Sequence, residues 1–559
     1  MNQSFEISNG SVRGMPLLND HIRNHDTGFT AEERRRYGLE GLLPHATESL
    51  QRQTERVIQN LDARQSDLER YIDLISIADR NETLFYHTVM SDPVRFLPIL
   101  YTPTVGQACL EFGHIFRRPH GMYITRHMKG RMAQVLRNWP KSDVRFICVS
   151  TGGRILGLGD IGSNGMGIPI GKLQLYTACA AVPPDCLLPV LFDVGTTNAA
   201  LRADPLYLGI REAPPPEHEL DELVEEFIQA VQTVFPNCCV HFEDWNGADA
   251  VRLLERYRNK ILCFNDDIQG TASIVLAGLM TAMQINKAPV TSQRILFVGA
   301  GSAATGIADL LVSVMRANGH SESDARSRIA FFDYKGLVVA GRPDLAANVV
   351  PYAQNLPPSK PFDFHDLPSE QAQLVAAIEA LKPTALIGAS TIGGIFSREV
   401  VEAMSKLNDR PIIFALSNPT SKAECTAEQA YTWSKGKVLF AAGVQFPEVT
   451  VNGTKFYPGQ ANNHYIFPAI GLATYVAKPK RLTEECFIVA AQATADQVDS
   501  ELRAKGRLFP NQSNMLETEV ATATRIAELM FDKGLAQVGR PADVRSWIEG
   551  QLYVPRYGA

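Results

Sequence analysis

The chain has 559 residues, more than one hydrophobic core serves, and roughly two to four packed units are expected. Its 45% hydrophobic and 20% charged content is that of an ordinary soluble globular protein. A formal net charge of -6 excludes the broadly basic surface of a nucleic-acid binder, yet leaves room for a local basic pocket around a small acidic substrate.

The amino terminus, MNQSFEISNGSVRGMPLLNDHIRN, is polar and lacks the apolar core of a secretory signal. No apolar stretch approaches the roughly 20 residues needed to span a bilayer, so no membrane association is expected. Nine cysteines, an odd number with no CxxC pair, read as reduced thiols packed as small hydrophobes. These features predict a cytoplasmic protein. Thr30-Ala31-Glu32-Glu33 and Ser66-Asp67-Leu68-Glu69 each fit a capping box opening a helix. The apolar spacing of LERYIDLISIADRNETLFYHTVM after Ser66 predicts one long amphipathic helix within a helical amino-terminal region.

From Val144 the texture changes to short β-rich runs, each ending in polar residues. VRFICVST precedes Arg154, LPVLFDVG contains Asp193, CCVHFED ends in Glu243 and Asp244, and ILCFNDD ends in Asp266 and Asp267. Helical segments such as ELDELVEEFIQAVQTVF alternate with these runs, which indicates a parallel α/β sheet whose ligands bind beyond the carboxyl ends of the strands. The acids there suit Mg²⁺ or Mn²⁺, with water and substrate completing the coordination. Neighbours on an extended strand point to opposite sides, so Asp266 and Asp267 are expected to divide the work. One ligates the ion; the other faces a cation, with Lys172 and Arg154 as candidates. The glycine-rich stretch from Arg154 to Cys179 is not a Walker loop, and it presents Lys172, which can act as a base if burial and a nearby cation lower its pKa.

A second α/β unit begins near Thr291. RILFVGAGSAATGIADLLVSVM reads as strand, glycine turn and helix, with Gly299-Ala300-Gly301-Ser302-Ala303-Ala304 fitting G-x-G-x-x-A. Gly299 permits the turn, Gly301 lets the backbone approach a pyrophosphate, and Ala304 keeps helix and strand close. Asp333, ending RIAFFD, is the candidate acid for a ribose hydroxyl, although it lies further on than the usual roughly 20 residues. An acid there favours NAD over NADP, while Lys335 and Arg342 keep NADP open. Proline patches at 214–216 and around 357–361 read as surface loops. The fold class is α/β, with a helical amino-terminal region, a parallel α/β catalytic domain and a Rossmann-type dinucleotide-binding domain. The expected divisions are 1–275, 276–540 and a carboxyl-terminal extension at 541–559.

FLPILYTPTVGQAC, RILGLGD…GMGIPIGKL, HFEDW, YRNK…FNDDIQGTA, VGAGSAATGIA, ALSNPTSKAE and GQANNHYIFPAIGLA resemble, in order, the successive signatures of malic enzymes. The resemblance implies Tyr101 as general acid and Lys172 as general base. It implies Glu243, Asp244 and Asp267 as the ligands of Mg²⁺ or Mn²⁺, with Asp266 paired to Lys172 and Asp267 also near the cofactor. Arg154 would hold a malate carboxylate near the nicotinamide. Asn418, Asn462 and Asn463 would complete the substrate and nicotinamide-ribose contacts. The implied reaction is NAD-dependent oxidative decarboxylation of (S)-malate to pyruvate and CO₂, with oxaloacetate decarboxylation alongside it, in a homodimer or homotetramer.

Two stretches depart from the family pattern. Where members commonly read Thr-Asp-Gly-Glu-Arg, this chain has Ser150-Thr151-Gly152-Gly153-Arg154, which removes two acids beside the arginine. Where they often show Gly-Ser-Pro-Phe, it has Gly443-Val444-Gln445-Phe446. The competing readings are a malolactic activity that makes lactate with retained NAD, and a catalytically impaired NAD-binding regulator.

Overall fold

In the computed structural model residues 12–155, 157–355 and 369–558 are described, and the proline stretch at 357–361 lies outside the described residues. Both predicted capping boxes form. Thr30 accepts the Glu33 N–H ahead of the helix Ala31–Tyr37, and Ser66 accepts the Glu69 N–H ahead of Asp67–Ala78. The single long helix expected after Ser66 is instead two, Asp67–Ala78 and Glu82–Ser91. The apolar period continues across the junction, but the Asn81 side chain accepts the Leu84 N–H and starts a new helix there. A short polar side chain offers the backbone an alternative to helix continuation.

The first sheet contains β1 (Met122–Thr125), β2 (Phe146–Ser150), β3 (Leu187–Asp193), β4 (Cys239–Phe242) and β5 (Cys263–Asn265). Their order is β1-β3-β2-β4-β5 and every pairing is parallel. Strands β2 to β5 are the four runs marked by the sequence, and all their residues are buried, as expected when helices cover both faces. The helix Gly167–Ala180 is buried at every position. Apolar all round, it sits as a core rod against the sheet and the helices Phe467–Ala477 and Met515–Asp532. Lys172 lies within it.

The second sheet contains β6 (Ile295–Val298), β7 (Ile329–Asp333), β8 (Gly336–Leu337), β9 (Ala385–Gly388), β10 (Ile412–Ala415) and β11 (Leu439–Ala442). A hairpin of β12 (Val449–Val451) and β13 (Thr454–Phe456) follows, then β14 (Gly459–Gln460). The order β14-β11-β10-β9-β6-β7-β8 is parallel apart from β7 with β8. The chain reverses its direction of sheet growth between β6 and β9, the crevice where such folds hold a dinucleotide.

The helix Thr271–Asn286 leads from one sheet to the other, so position 275/276 falls inside it. With the turn before it, Asp266–Asn286 is 21 residues long with mean hydropathy 1.4, long and apolar enough to cross a membrane by those measures. The expectation that no apolar stretch approaches that length is corrected. The segment opens on two aspartates and is mostly buried, packed against Ser302–Ala317 and Glu484–Asp496. All nine cysteines are buried and free. The last residues return to the amino-terminal helices, where the Tyr557 hydroxyl donates to Gln53 and accepts from Asn81.

Candidate active site

The carboxyl ends of β2, β4 and β5 converge on one edge of the first sheet. Pairing of Phe242 with Val149 on one side and Asn265 on the other places Glu243-Asp244 beside Asp266-Asp267 and beside the loop that carries Arg154. The two aspartates are not on an extended strand. They open a wide π-helical turn, Asp266–Gly270, which Asn265 caps by accepting the Ile268 N–H. Asp266 faces Lys172 while Asp267 accepts the Asp244 N–H, and the angular step of this turn separates the two where strand alternation was expected to. Gly270 is required here, because a Cβ would meet Asp266 Oδ1 at 1.8 Å.

Lys172 is 1% exposed, with Nζ 2.5 Å from Asp266 Oδ2 and 3.0 Å from Glu243 Oε1. The ammonium also lies 4.3 Å from the Phe467 ring centroid and 5.3 Å from that of Tyr101. Burial works to lower its pKa, yet Asp266 and Glu243 hold it well above the ordinary lysine value. The condition stated for a basic Lys172, a lowered pKa, is therefore not met in this arrangement. Two carboxylates outweigh desolvation and keep Lys172 an ammonium, which can accept a proton only after it has released its own. Asp266 is the fixed partner, since Asn463 Nδ2 donates to its Oδ2 at 2.9 Å and to its backbone carbonyl at 3.2 Å. Asn463 is thus engaged with Asp266 and Thr271. Tyr101 ends the helix Pro93–Leu100 and is buried, which pushes its hydroxyl well above the usual tyrosine range.

Glu243 is held from behind by a residue the sequence reading passed over. His241 Nε2 lies 2.8 Å from Glu243 Oε2, and its Nδ1 lies 3.1 Å from the Tyr176 hydroxyl. Burial lowers the imidazole pKa to about 3, so the ring is neutral. The tautomer that satisfies both contacts carries its proton on Nε2 and accepts from Tyr176. Residues i and i+2 of a strand share a face, so HFE contained this signal.

His241, Glu243 and Asp266 offer ligand atoms within 4.8 Å of one another. A cation among them would meet the Lys172 ammonium already seated between the two carboxylates, and that gap is the wrong place for an ion. The other side of Glu243 is suited to one. Asp244 is 5% exposed, takes the left-handed backbone at φ 52°, and its Oδ2 is buried without a hydrogen-bond partner. Its N–H donates to Asp267 Oδ2 at 2.7 Å. Burial, with Asp267 and then Glu243, raises the Asp244 pKa well above the carboxylate range; burial, with Glu243 and Asp266, does the same to Asp267. Burial brings Glu243 to about 7. Three hard oxygen donors that repel one another, one of them orphaned, fit a divalent cation.

Other acids marked by the sequence have structural work. Asp193 accepts the N–H groups of Gly195 and Ile210; Asp160, which the sequence did not single out, ties the glycine-rich loop to Thr196 and Thr197. In the departing stretch the hydroxyls of Ser150 and Thr151 accept the N–H groups of Gly152 and Gly153, so uncharged turns stand before Arg154. Arg154 Nη1 lies against Gly247, and the residue lines the nucleotide cleft.

That cleft, about 390 Å³, lies at the reversal point of the second sheet. Gly299 has φ +108°, and a Cβ there would meet the Ala389 carbonyl at 2.3 Å. A Cβ at Gly301 would face open space. Ser302, Ala303 and Ala304 open the helix Ser302–Ala317, and Asp333 ends β7 on the opposite wall. Asn418 follows β10 beneath Gly443. The Asn462 side chain donates to Thr102, beside Tyr101, and accepts the His464 N–H. In the second departing stretch Val444 and Phe446 pack against the core of this sheet.

A dinucleotide-binding sheet joined to a second parallel sheet with clustered buried acids at its strand ends defines a class, the two-domain α/β nucleotide-dependent oxidoreductases. Residues 78–258 match the family model "Malic enzyme, N-terminal domain", and residues 268–531 match "Malic enzyme, NAD binding domain". The chain belongs to the malic enzyme family, which carries out the oxidative decarboxylation of malate. The NADP-dependent malic enzyme of Anas platyrhynchos is 44% identical over 550 residues, 98% of this chain and 97% of that protein. That of Homo sapiens is 43% identical over 548 residues, 98% and 94% of the two chains. The fold is shared with solved structures at low identity. The malic enzyme of Entamoeba histolytica gives a TM-score of 0.56 at 21% identity, covering 92% of this chain and 90% of that one. The NAD-dependent malic enzyme of Thermotoga maritima gives 0.51 at 18%, covering 76% and 99%.

Proposed function

We propose that this malic enzyme uses NAD, oxidising (S)-malate and releasing CO₂ and pyruvate with Mg²⁺ or Mn²⁺ held by Glu243, Asp244 and Asp267, and that it also decarboxylates oxaloacetate. The Anas platyrhynchos and Homo sapiens relatives are named NADP-dependent. We read this chain the other way because both cations beside Asp333 are already paired with acids, and this observation carries the cofactor assignment.

A dinucleotide held at Gly299–Ala304 would supply the hydride acceptor, and a divalent ion held by Glu243, Asp244 and Asp267 would supply positive charge for the substrate oxygens. The chain's own groups position and protonate. Arg154 holds a malate carboxylate by paired hydrogen bonds. Lys172, once Glu243 has turned from it and its ammonium proton has passed to solvent, takes the proton of the C2 hydroxyl as the neutral amine, with Asp266 and Asn463 keeping its Nζ aimed. Tyr101, close to Lys172 and high in pKa, remains protonated and delivers a proton to C3. Asn418 and Asn462 shape the nicotinamide end. The nine buried free thiols support a reducing, cytoplasmic setting. The family resemblance supports a homodimer or homotetramer.

The test is initial rates on malate with NAD⁺ and with NADP⁺, each in Mg²⁺, Mn²⁺ or a chelator. NADH formation that needs a divalent ion supports the reading. Faster turnover with NADP⁺ at equal concentration defeats the cofactor assignment, and undiminished turnover in chelator defeats the ion.

A further inference from the structure

The turn after β7 carries a closed set of charges. Arg342 meets both oxygens of Asp333, with Nη1 at 3.0 Å from Oδ1 and Nη2 on Oδ2. Arg342 Nε lies 3.2 Å from Asp344 Oδ1, and Lys335 Nζ lies 2.7 Å from Asp344 Oδ2. The Lys335 ammonium also sits 5.4 Å from the ring centroid of Tyr334, a side chain left largely in solvent. Two cations and two carboxylates therefore cancel at the ribose end of the nucleotide cleft, whose wall includes Asp333, Tyr334, Arg342 and Asp344.

A 2′-phosphate brings close to two negative charges at neutral pH and needs a cation free to meet it. Asp333 already serves the ribose in the reading above. Asp344 does not, and it is the acid that engages Lys335 and lies against the inner face of Arg342. We infer that Asp344 is a specificity-determining residue for the cofactor: by holding Lys335 and Arg342 it denies a 2′-phosphate its counter-charge. The inference rests on the proposal that NAD is the cofactor. It concerns charge placement and not stability, since exposed ion pairs contribute little to folding.

The test is calorimetric binding of adenosine 5′-monophosphate and adenosine 2′,5′-bisphosphate, a pair differing only in the 2′-phosphate. It uses the full-length protein and its Asp344→Ala and Asp344→Asn variants. The unmodified protein is expected to bind the monophosphate more tightly. Both variants should bind the bisphosphate roughly tenfold more tightly than the unmodified protein does, with the monophosphate unchanged within about twofold, and the gain should shrink toward about 0.5 M salt. Adding Lys335→Ala to Asp344→Ala should erase the gain. Variants that leave bisphosphate affinity unchanged, or a gain that survives loss of Lys335, overturn the role of Asp344 while leaving the NAD assignment standing. An unmodified protein that prefers the bisphosphate overturns both. Since Asp344 is partly exposed, unchanged melting temperatures are expected, and they separate a binding effect from misfolding.

Discussion

Both sheets carry acids beyond the carboxyl ends of parallel strands, and they treat them in opposite ways. After β4 and β5, Glu243, Asp244 and Asp267 crowd one another, and Asp244 keeps a buried oxygen with no partner. After β7, Asp333 and Asp344 are matched by Arg342 and Lys335. Further along the second sheet Glu424 is fully buried, yet accepts hydrogen bonds from the hydroxyl and N–H of Ser390 and of Ser417. A buried charge without a partner costs several kcal/mol, so a fold keeps one only where something else offsets it. A cluster of crowded acids with an orphaned oxygen marks a place a cation can neutralise, and acids already matched by cations leave no such demand.

The most severe way to break the first region is Lys172→Ala. Turnover of malate should fall roughly 10²- to 10⁴-fold, the range for losing a general base, while nucleotide affinity stays within about twofold. Steady-state NADH formation and a nucleotide titration measure the two. Near-normal turnover would remove Lys172 from the chemistry. Asp244→Asn probes the imbalance itself. Relieving one repelling carboxylate should stabilise the ion-free protein by about 1–3 kcal/mol in chemical denaturation, and it should abolish the rise in melting temperature that Mn²⁺ gives the unmodified chain. A variant less stable without ions, or one that still responds fully to Mn²⁺, would mean that Asp244 faces no cation. His241→Ala is milder. It leaves Glu243 Oε2 and the Tyr176 hydroxyl without their partner, and divalent-ion affinity should weaken roughly 10- to 100-fold with little direct effect on nucleotide binding.

Much of this contrast was legible in the sequence, for reasons tied to local geometry. Strand ends are marked where an apolar run meets an acid, so the positions of Glu243, Asp266 and Asp333 followed from FED, FNDD and FFD. The glycine turn at Gly299–Gly301 needs only a strand before it and a helix after it. Contacts between distant segments left no such trace. Phe467 beneath Lys172, Asn463 on Asp266, and Asn462 on Thr102 are each assembled by packing of the helices near the carboxyl terminus onto the first sheet. The break at Asn81 was hidden because the apolar period runs through it. The charge cluster after β7 was half visible. The sequence shows Lys335 and Arg342 as cations that keep NADP open, but sequence distance does not show that Asp344 closes on both.

Glu519 gives the smallest effect and the cleanest separation between burial and function, since it is an unpaired acid remote from any proposed ion. It sits on the helix Met515–Asp532, fully buried and facing no cation among the described residues, with only the Ala469 backbone N–H favouring its charged form, and burial holds its pKa well above the usual 4.5. In the unfolded chain the group releases its proton as pH rises past that ordinary value; in the folded chain it cannot. The folded state therefore binds more protons over that range, and stability declines as pH rises from about 4.5. Glu519→Gln removes the ionisation while keeping shape and polarity. Urea denaturation midpoints of the two proteins should agree near pH 4 and diverge upward, with the glutamine variant the more stable at neutral and alkaline pH. Parallel pH profiles would mean that Glu519 ionises freely in the folded protein. An unpaired carboxyl would then not be costly here, and the argument that the orphaned oxygen of Asp244 calls for a cation would lose its physical basis.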